Sequence, residues 1–411
     1  MATAIASLPE GWVYDELTGA ITRDVIHRMG RRCRNWDYCG KGVYLITIAA
    51  KTRGKGLWGQ VGAEALAPKF VPNKLGEIIA REWEALAERW PGVSLLAAQV
   101  MEDHFHGVIA TRGFMSKPLG AIIGSFKARS SSEAGVSLWA EGYVDTILFD
   151  DEAVAKAIAY VKDNPRRLWE KRAHPERFRV LSDLKRELSI NGRIEALHFG
   201  AIGNQALLLA PYIYQIQVSR DFFAYARDDK GEILKKAPPK RITSEFKAKL
   251  QAFLEAAEKG AVLLSPCISE GEREIVRVAY ERNYKVITLS NKGFSPLYKP
   301  GGRLFDQTAN GNLLMLAPIN WPYLPGKKPI TRVSACQLNR IAQWLCGEGA
   351  VEINYRGYKP NDVDRLALEA CTRPQAAERA TEAGDFKGPQ ALERAMGPQA
   401  AERATGAGDF N

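Results

Sequence analysis

Two of the five histidines in this 411-residue chain stand one residue apart, in Val100-Met-Glu-Asp-His-Phe-His-Gly-Val-Ile-Ala110. The stretch reads as a β-strand, and side chains two apart on a strand point to the same face. His104 and His106 are therefore a metal-ligand pair by geometry, or else two solvated or hydrogen-bonded imidazoles on an exposed face. A second group lies downstream, in Phe149-Asp-Asp-Glu-Ala-Val-Ala-Lys-Ala-Ile-Ala-Tyr-Val-Lys-Asp-Asn-Pro165. Acidic residues suit a first helical turn and Pro165 a stop, so a helix over 151–164 is expected, with Val154, Ile158 and Val161 as its buried stripe. Tyr160 and Asn164, spaced i, i+4, then share one side of that helix at the border between core and solvent. From there a hydroxyl and an amide oxygen can face the histidine pair, and such neutral ligands would leave a divalent cation strongly Lewis acidic. The alternatives are an amphipathic boundary tyrosine and an asparagine that merely ends a helix before proline. Glu102 and Asp103, in the turn before the histidines, are expected as solvated carboxylates.

The elements that must position these groups form a first region from about 10 to 190. Val43–Ala49, Val93–Val100 and Gly107–Ala110 read as strands, while Leu75–Trp90 and Ala153–Lys162 carry helical periodicity. That pattern implies an α+β sheet domain. The segment from Lys162 to Arg193 holds Lys162, Arg166, Arg167, Lys171, Arg172, Arg177, Arg179, Lys185, Arg186 and Arg193, with Trp169 and Phe178 among them. It is either a phosphate-contacting surface or a solvated helical face.

A second region spans about 195–358. Val262-Leu-Leu-Ser, a helix over 273–282 and Val286-Ile-Thr-Leu make a strand–helix–strand unit, so a parallel, Rossmann-like α/β sheet is expected. The strand-to-helix junction at 265–272 offers backbone N–H groups to an anion. Neither G-x-G-x-x-G nor a P-loop is present, which argues against a dinucleotide or ATP site. Cys267 reads as a small buried thiol rather than a nucleophile, since no histidine partner is apparent. From 359 to 411 the chain is read as a disordered tail: Pro374–Phe386 recurs as Pro398–Phe410, with a shortened copy at Pro389–Ala395.

The bulk numbers narrow the class. At 411 residues, 46% hydrophobic and 25% charged, the chain is long enough for two or three globular domains. A net charge of +10 permits a polyanionic partner without requiring one. There is no apolar run long enough for a membrane span and no secretory signal at Met1–Pro9, so no membrane partner and a cytoplasmic location are expected. Six cysteines without a C-x-x-C pair suit reduced thiols rather than disulfides or a zinc knuckle.

His104-Phe-His106, Leu138-Trp-Ala-Glu-Gly-Tyr-Val-Asp-Thr-Ile147 and Tyr160-Val-Lys-Asp-Asn-Pro165, in that order, resemble the single-tyrosine HUH transposases, in particular the REP-associated tyrosine transposase branch. The run from Arg31 to Ile48 is similar to that family's entry into its first strand. The resemblance covers roughly 25–180; Arg166-Arg-Leu-Trp departs from the small, glycine-containing residues that commonly follow the motif. It implies an antiparallel-sheet HUH catalytic domain of ferredoxin- or RRM-like type over 1–190. It further implies Tyr160 as nucleophile, and His104, His106 and Asn164 as ligands of Mg²⁺ or Mn²⁺. The expected activity is cleavage and rejoining of single-stranded or hairpin DNA, REP-like repeats included, through a 5′-phosphotyrosine. Arg31, Arg32, Arg34, Lys162, Arg166 and Arg167 are the expected DNA contacts, and a homodimer is one expected assembly. A replication- or relaxase-type HUH nickase and an inactive, domesticated hairpin-binding protein are the rival readings. The second region resembles, more loosely, the Rossmann-like domain of DNA-processing protein A, which suggests a grip on single-stranded DNA or a nucleotide phosphate.

Overall fold

The computed structural model describes residues 12–15, 20–23, 33 and 36–373, apart from 65–66, 219–222, 225–240, 243, 327, 354 and 356. Arg31, Arg32, Arg34 and the repeats of 374–411 lie outside the described residues. The chain is a mixed α/β protein of two units, 1–172 and 173–411. Among the described residues no helix is long and apolar enough to cross a membrane.

In the first unit, strands β1 (Gly42–Ala49), β2 (Val93–Val100), β3 (His104–Thr111) and β4 (Val144–Ile147) form one antiparallel sheet in the order β2-β3-β1-β4. Helix α1 (Lys74–Glu84) connects β1 to β2 and α2 (Leu119–Ala134) connects β3 to β4, so two β-α-β units interlock, each with a strand of the other between its own. Strand alternation sorts the side chains. Tyr44, Ile46, Ile48, Phe105 and Ile109 face α1 and α2 and build a core with Trp83, Phe126 and Trp139. Gly107 belongs to this packing: the Trp83 ring lies where a Cβ would stand. Leu45 and Val108 face the other way, toward helix α3 (Asp151–Ala173), where Ala157 and Val161 are fully buried against them. Complete burial of a valine contributes about 1.5–3 kcal/mol toward holding the helix on the sheet.

Helix α3 starts where expected, with Asp150 Oδ1 accepting from Ala153 N–H at 2.7 Å. Its end corrects the expectation of a stop at 164: the helix runs through Pro165 to Ala173. Proline deprives one preceding carbonyl of its donor. The carbonyl so deprived is that of Val161; on the residue before, the Tyr160 carbonyl accepts from Asn164 Nδ2 at 2.8 Å.

In the second unit, β5 (Leu181–Ile190), β6 (Arg193–Gly203), β7 (Ile213–Gln215), β8 (Val262–Ser265), β9 (Val286–Leu289) and β10 (Leu313–Pro318) form a sheet in the order β7-β8-β9-β10-β6-β5. Strands β7 to β10 are parallel, and β6 and β5 extend the sheet antiparallel. Helices α4 (Ser244–Glu258) and α5 (Glu270–Glu281) cover one face; α6 (Gly302–Ala309) precedes β10; α7 (Arg332–Cys346) and α8 (Pro360–Cys371) cover the other face. Buried on both sides, residues 262–264 of β8 and the whole of β10 read as continuous apolar runs.

Two boundaries differ from the sequence expectation of 1–190, 195–358 and 359–411. Residues 181–190 belong to the second unit, because Asn191 and Gly192, at φ 50° and 79°, turn β5 directly into β6. Residues 360–371 are not tail but helix α8, which buries Ala367, Ala370 and Cys371 in the core. Its buried Asp364 accepts from Asn191 Nδ2 at 2.9 Å and pairs with Arg340.

Candidate active site

Register places Thr47 of β1 opposite His106 and Ala49 opposite His104. The Thr47 hydroxyl lies 2.9 Å from His106 Nδ1, and Asp103 Oδ1 lies 2.8 Å from His104 Nδ1. A carboxylate only accepts, so His104 carries its proton on Nδ1 and keeps the Nε2 lone pair. A hydroxyl accepts as well as donates, so in the tautomer whose Nδ1–H donates to Thr47, His106 presents Nε2 in the same way. Burial pushes the His106 pKa down to about 3, the neighbouring His104 adding to the effect. Burial also lowers that of His104, against the pull of Asp103. Both rings are therefore neutral at pH 7. Their centroids are 4.9 Å apart with planes at 83°.

This donor set fits a divalent metal. Two imidazoles sharing a cation at about 2 Å from each nitrogen hold their centres roughly 5 Å apart, and each ring makes an outer hydrogen bond at Nδ1, which for His104 fixes the tautomer. Among the described residues no three His, Cys, Asp or Glu side chains converge, so among them a third protein ligand would be of another type. Asn164, 8% exposed, has its amide nitrogen committed to the helix, and its oxygen is the atom left for that role.

Tyr160 comes to the same place from α3. Its ring stands 5.5 Å from that of His106, planes at 73°. Two turns further along the helix, the Arg167 guanidinium lies 5.5 Å from the Tyr160 ring centre and 3.8 Å from Asp163. The structure thus brings His104, His106 and Tyr160 together, with Asn164 and Arg167 on the helix that carries the tyrosine. Lys162 is exposed, and Arg166 is paired in a fork with Asp163 at 2.6 and 2.8 Å. The basic segment 162–193 divides between the two units, part on α3 and part on β5 and its flanks. Arg172 pairs with Glu102, Arg177 donates to the Ala309 carbonyl and Arg186 to that of Leu208.

Sequence reasoning missed Thr47, and it misjudged Glu102. Expected as solvated, Glu102 is 4% exposed. Arg172 donates to both its oxygens, at 2.6 and 2.8 Å, and the N–H groups of Gly56 and Val61 add bonds at 3.2 and 3.3 Å. Arg172 foremost, then these N–H groups, hold its carboxyl below the usual range despite burial.

The anion site expected at the start of α5 is taken by the chain itself. Glu272, buried, accepts from Ile268 N–H at 2.8 Å and from the Ser269 hydroxyl at 3.0 Å, so a carboxylate already occupies the helix N-terminus. Cys267 is partly buried rather than fully so, and burial pushes its thiol up to about 11. A cleft of about 240 Å³ lies instead beyond the carboxyl ends of β9 and β10, lined by Phe294, Trp321 and Tyr323 among others. Lys328 Nζ sits 5.2 Å from the Trp321 ring and Lys292 Nζ 6.0 Å from that of Tyr323.

No protein-family model matches the chain. An uncharacterized protein of Haemophilus influenzae is 26% identical over 180 residues, which span 38% of this chain and 96% of that protein. Among solved structures, the REP-associated tyrosine transposase bound to a REP hairpin aligns with 33% of this chain and 73% of its own, at 12% identity and a TM-score of 0.27.

Proposed function

We propose that the first unit is an HUH-type enzyme that cuts and rejoins single-stranded or hairpin DNA through Tyr160. The observation that carries this reading is the approach of the Tyr160 ring to within 5.5 Å of His106, from an element distant in sequence. The strand order β2-β3-β1-β4 with its interlocked crossovers is that of ferredoxin-like sheets, and it supports the fold the sequence motifs imply.

His104, His106 and Asn164 would hold Mg²⁺ or Mn²⁺, which when bound polarises a phosphate oxygen and stabilises its developing charge. The chain's own groups do the rest. The Tyr160 hydroxyl attacks the scissile phosphorus and gives up its proton to solvent. The bond to the 3′ oxygen breaks, and that oxygen takes a proton to become a free 3′-hydroxyl. One phosphodiester is exchanged for another, so a 3′-hydroxyl can reverse the step without a nucleotide cofactor. Arg167, beside the tyrosine, supplies a cation where phosphate charge accumulates.

For the second unit, four parallel strands covered by helices on both faces support the Rossmann-like reading. Its contact with single-stranded DNA falls at the cleft of Phe294, Trp321 and Tyr323, where aromatic faces and lysines suit bases and phosphates.

Incubating the protein with labelled, hairpin-bearing single-stranded DNA and Mn²⁺ tests the proposal. A denaturation-resistant protein–DNA adduct that disappears with chelator is expected. An adduct insensitive to chelator contradicts the ligand assignment, and no adduct contradicts the activity.

A further inference from the structure

We infer that the Glu102–Arg172 pair positions the nucleophile's helix against the histidine strand, an inference that rests on the reading of Tyr160 as nucleophile. Glu102 sits in the turn just before β3, two residues from His104. Arg172 lies near the far end of α3, more than three turns beyond Tyr160. The fork between them, at 2.6 and 2.8 Å, therefore ties the strand of the imidazoles to the helix of the phenol.

Apolar contacts cannot do this alone. Ala157 and Val161 set how far α3 stands from the sheet and which face it presents, but burial is non-directional and fixes the helix's position along the sheet less sharply than a pair with defined geometry. A bidentate guanidinium–carboxylate pair fixes both translation and rotation. The need is greater here because Pro165 interrupts the backbone ladder between Tyr160 and Arg172. The Glu102 carboxylate is itself anchored, since Gly56 and Val61 N–H groups bond it and Trp58 N–H donates to its carbonyl at 3.2 Å. With its oxygens so engaged, Glu102 is a positioning residue and not a metal ligand.

The test is single-turnover adduct formation by the full-length protein with saturating labelled hairpin DNA and Mn²⁺. Wild type, Glu102→Gln, Arg172→Gln and Arg172→Lys are compared for rate constant and final adduct amplitude. Misplacement of the phenol predicts rate constants about ten- to a hundredfold lower in Glu102→Gln and Arg172→Gln, with the amplitude retained. Arg172→Lys, which keeps charge but loses the fork, falls between. A merely structural role would lower the amplitude in proportion to unfolded protein and leave the rate constant of the remainder unchanged; that result overturns the inference. Variants equal to wild type in both overturn it as well. No adduct from wild type overturns the reading of Tyr160, and the inference with it, whereas a wild-type adduct with unaltered variant rate constants overturns the inference alone.

Discussion

Tyr160 and His106 meet edge to face, ring centroids 5.5 Å apart, although one rides on a helix and the other on a central strand of the sheet. Parity explains it. In β3 the even-numbered residues 104, 106 and 108 share one face, and Val108 is packed against the same helix that presents Tyr160. The opposite parity, Phe105 and Ile109, feeds the core under α1 and α2. The sheet's pattern of burial and its candidate chemistry are thus the same alternation seen from two sides.

Asp103 fixes the proton of His104 on Nδ1. Asp103→Ala is expected to weaken Mn²⁺ binding about 10- to 100-fold, measured by titration calorimetry, because the imidazole loses its orientation. Wild-type affinity in that variant would contradict the role given to Nε2.

Burial of His106 has a pH signature in chelator-treated protein. Its pKa is about 3 when folded, against 6.5 as its ordinary value, so between these the unfolded state binds more protons. The stability present above pH 6.5 is then lost as pH falls toward 3. Urea unfolding at pH 7.5 and 5 should show a smaller acid loss in His106→Gln, by about 2 kcal/mol. Equal losses would contradict the burial of a neutral imidazole.

Gly107 leaves room for the Trp83 ring. Gly107→Ala forces that ring aside in a filled core and is expected to cost about 1–3 kcal/mol in urea unfolding. A change near zero would mean the ring does not lie over the strand.

In the second unit, Trp321→Ala should weaken binding of unstructured single-stranded DNA by about 1–3 kcal/mol in fluorescence anisotropy, the worth of one stacked base. Unaltered affinity would remove the cleft from the DNA path.

Local signals made much of this legible from sequence. The H-x-H spacing required a shared face, the i, i+4 spacing put Tyr160 and Asn164 on one side of a helix, and the apolar runs at 262–265 and 286–289 marked buried parallel strands. What escaped depended on long-range partners. Nothing near Glu102 announces Arg172, and nothing near Pro165 says that the helix continues past it. Glu272 filling its own helix N-terminus was readable from Ser269 three residues earlier, a capping pattern. The Asn191-Gly192 pair, a strong hairpin signal, likewise marked 190 as the middle of a hairpin rather than a domain edge. Helix α8 adjoins a polar repeat and was masked by that composition.

The most direct measurement is to trim the denatured adduct with nuclease and protease and sequence the nucleotide-bearing peptide by mass spectrometry. The account predicts a 5′-phosphate ester on Tyr160, a free 3′-hydroxyl on the released strand, and no adduct from Tyr160→Phe. A nucleotide on any other residue, or an adduct that persists in Tyr160→Phe, would contradict it.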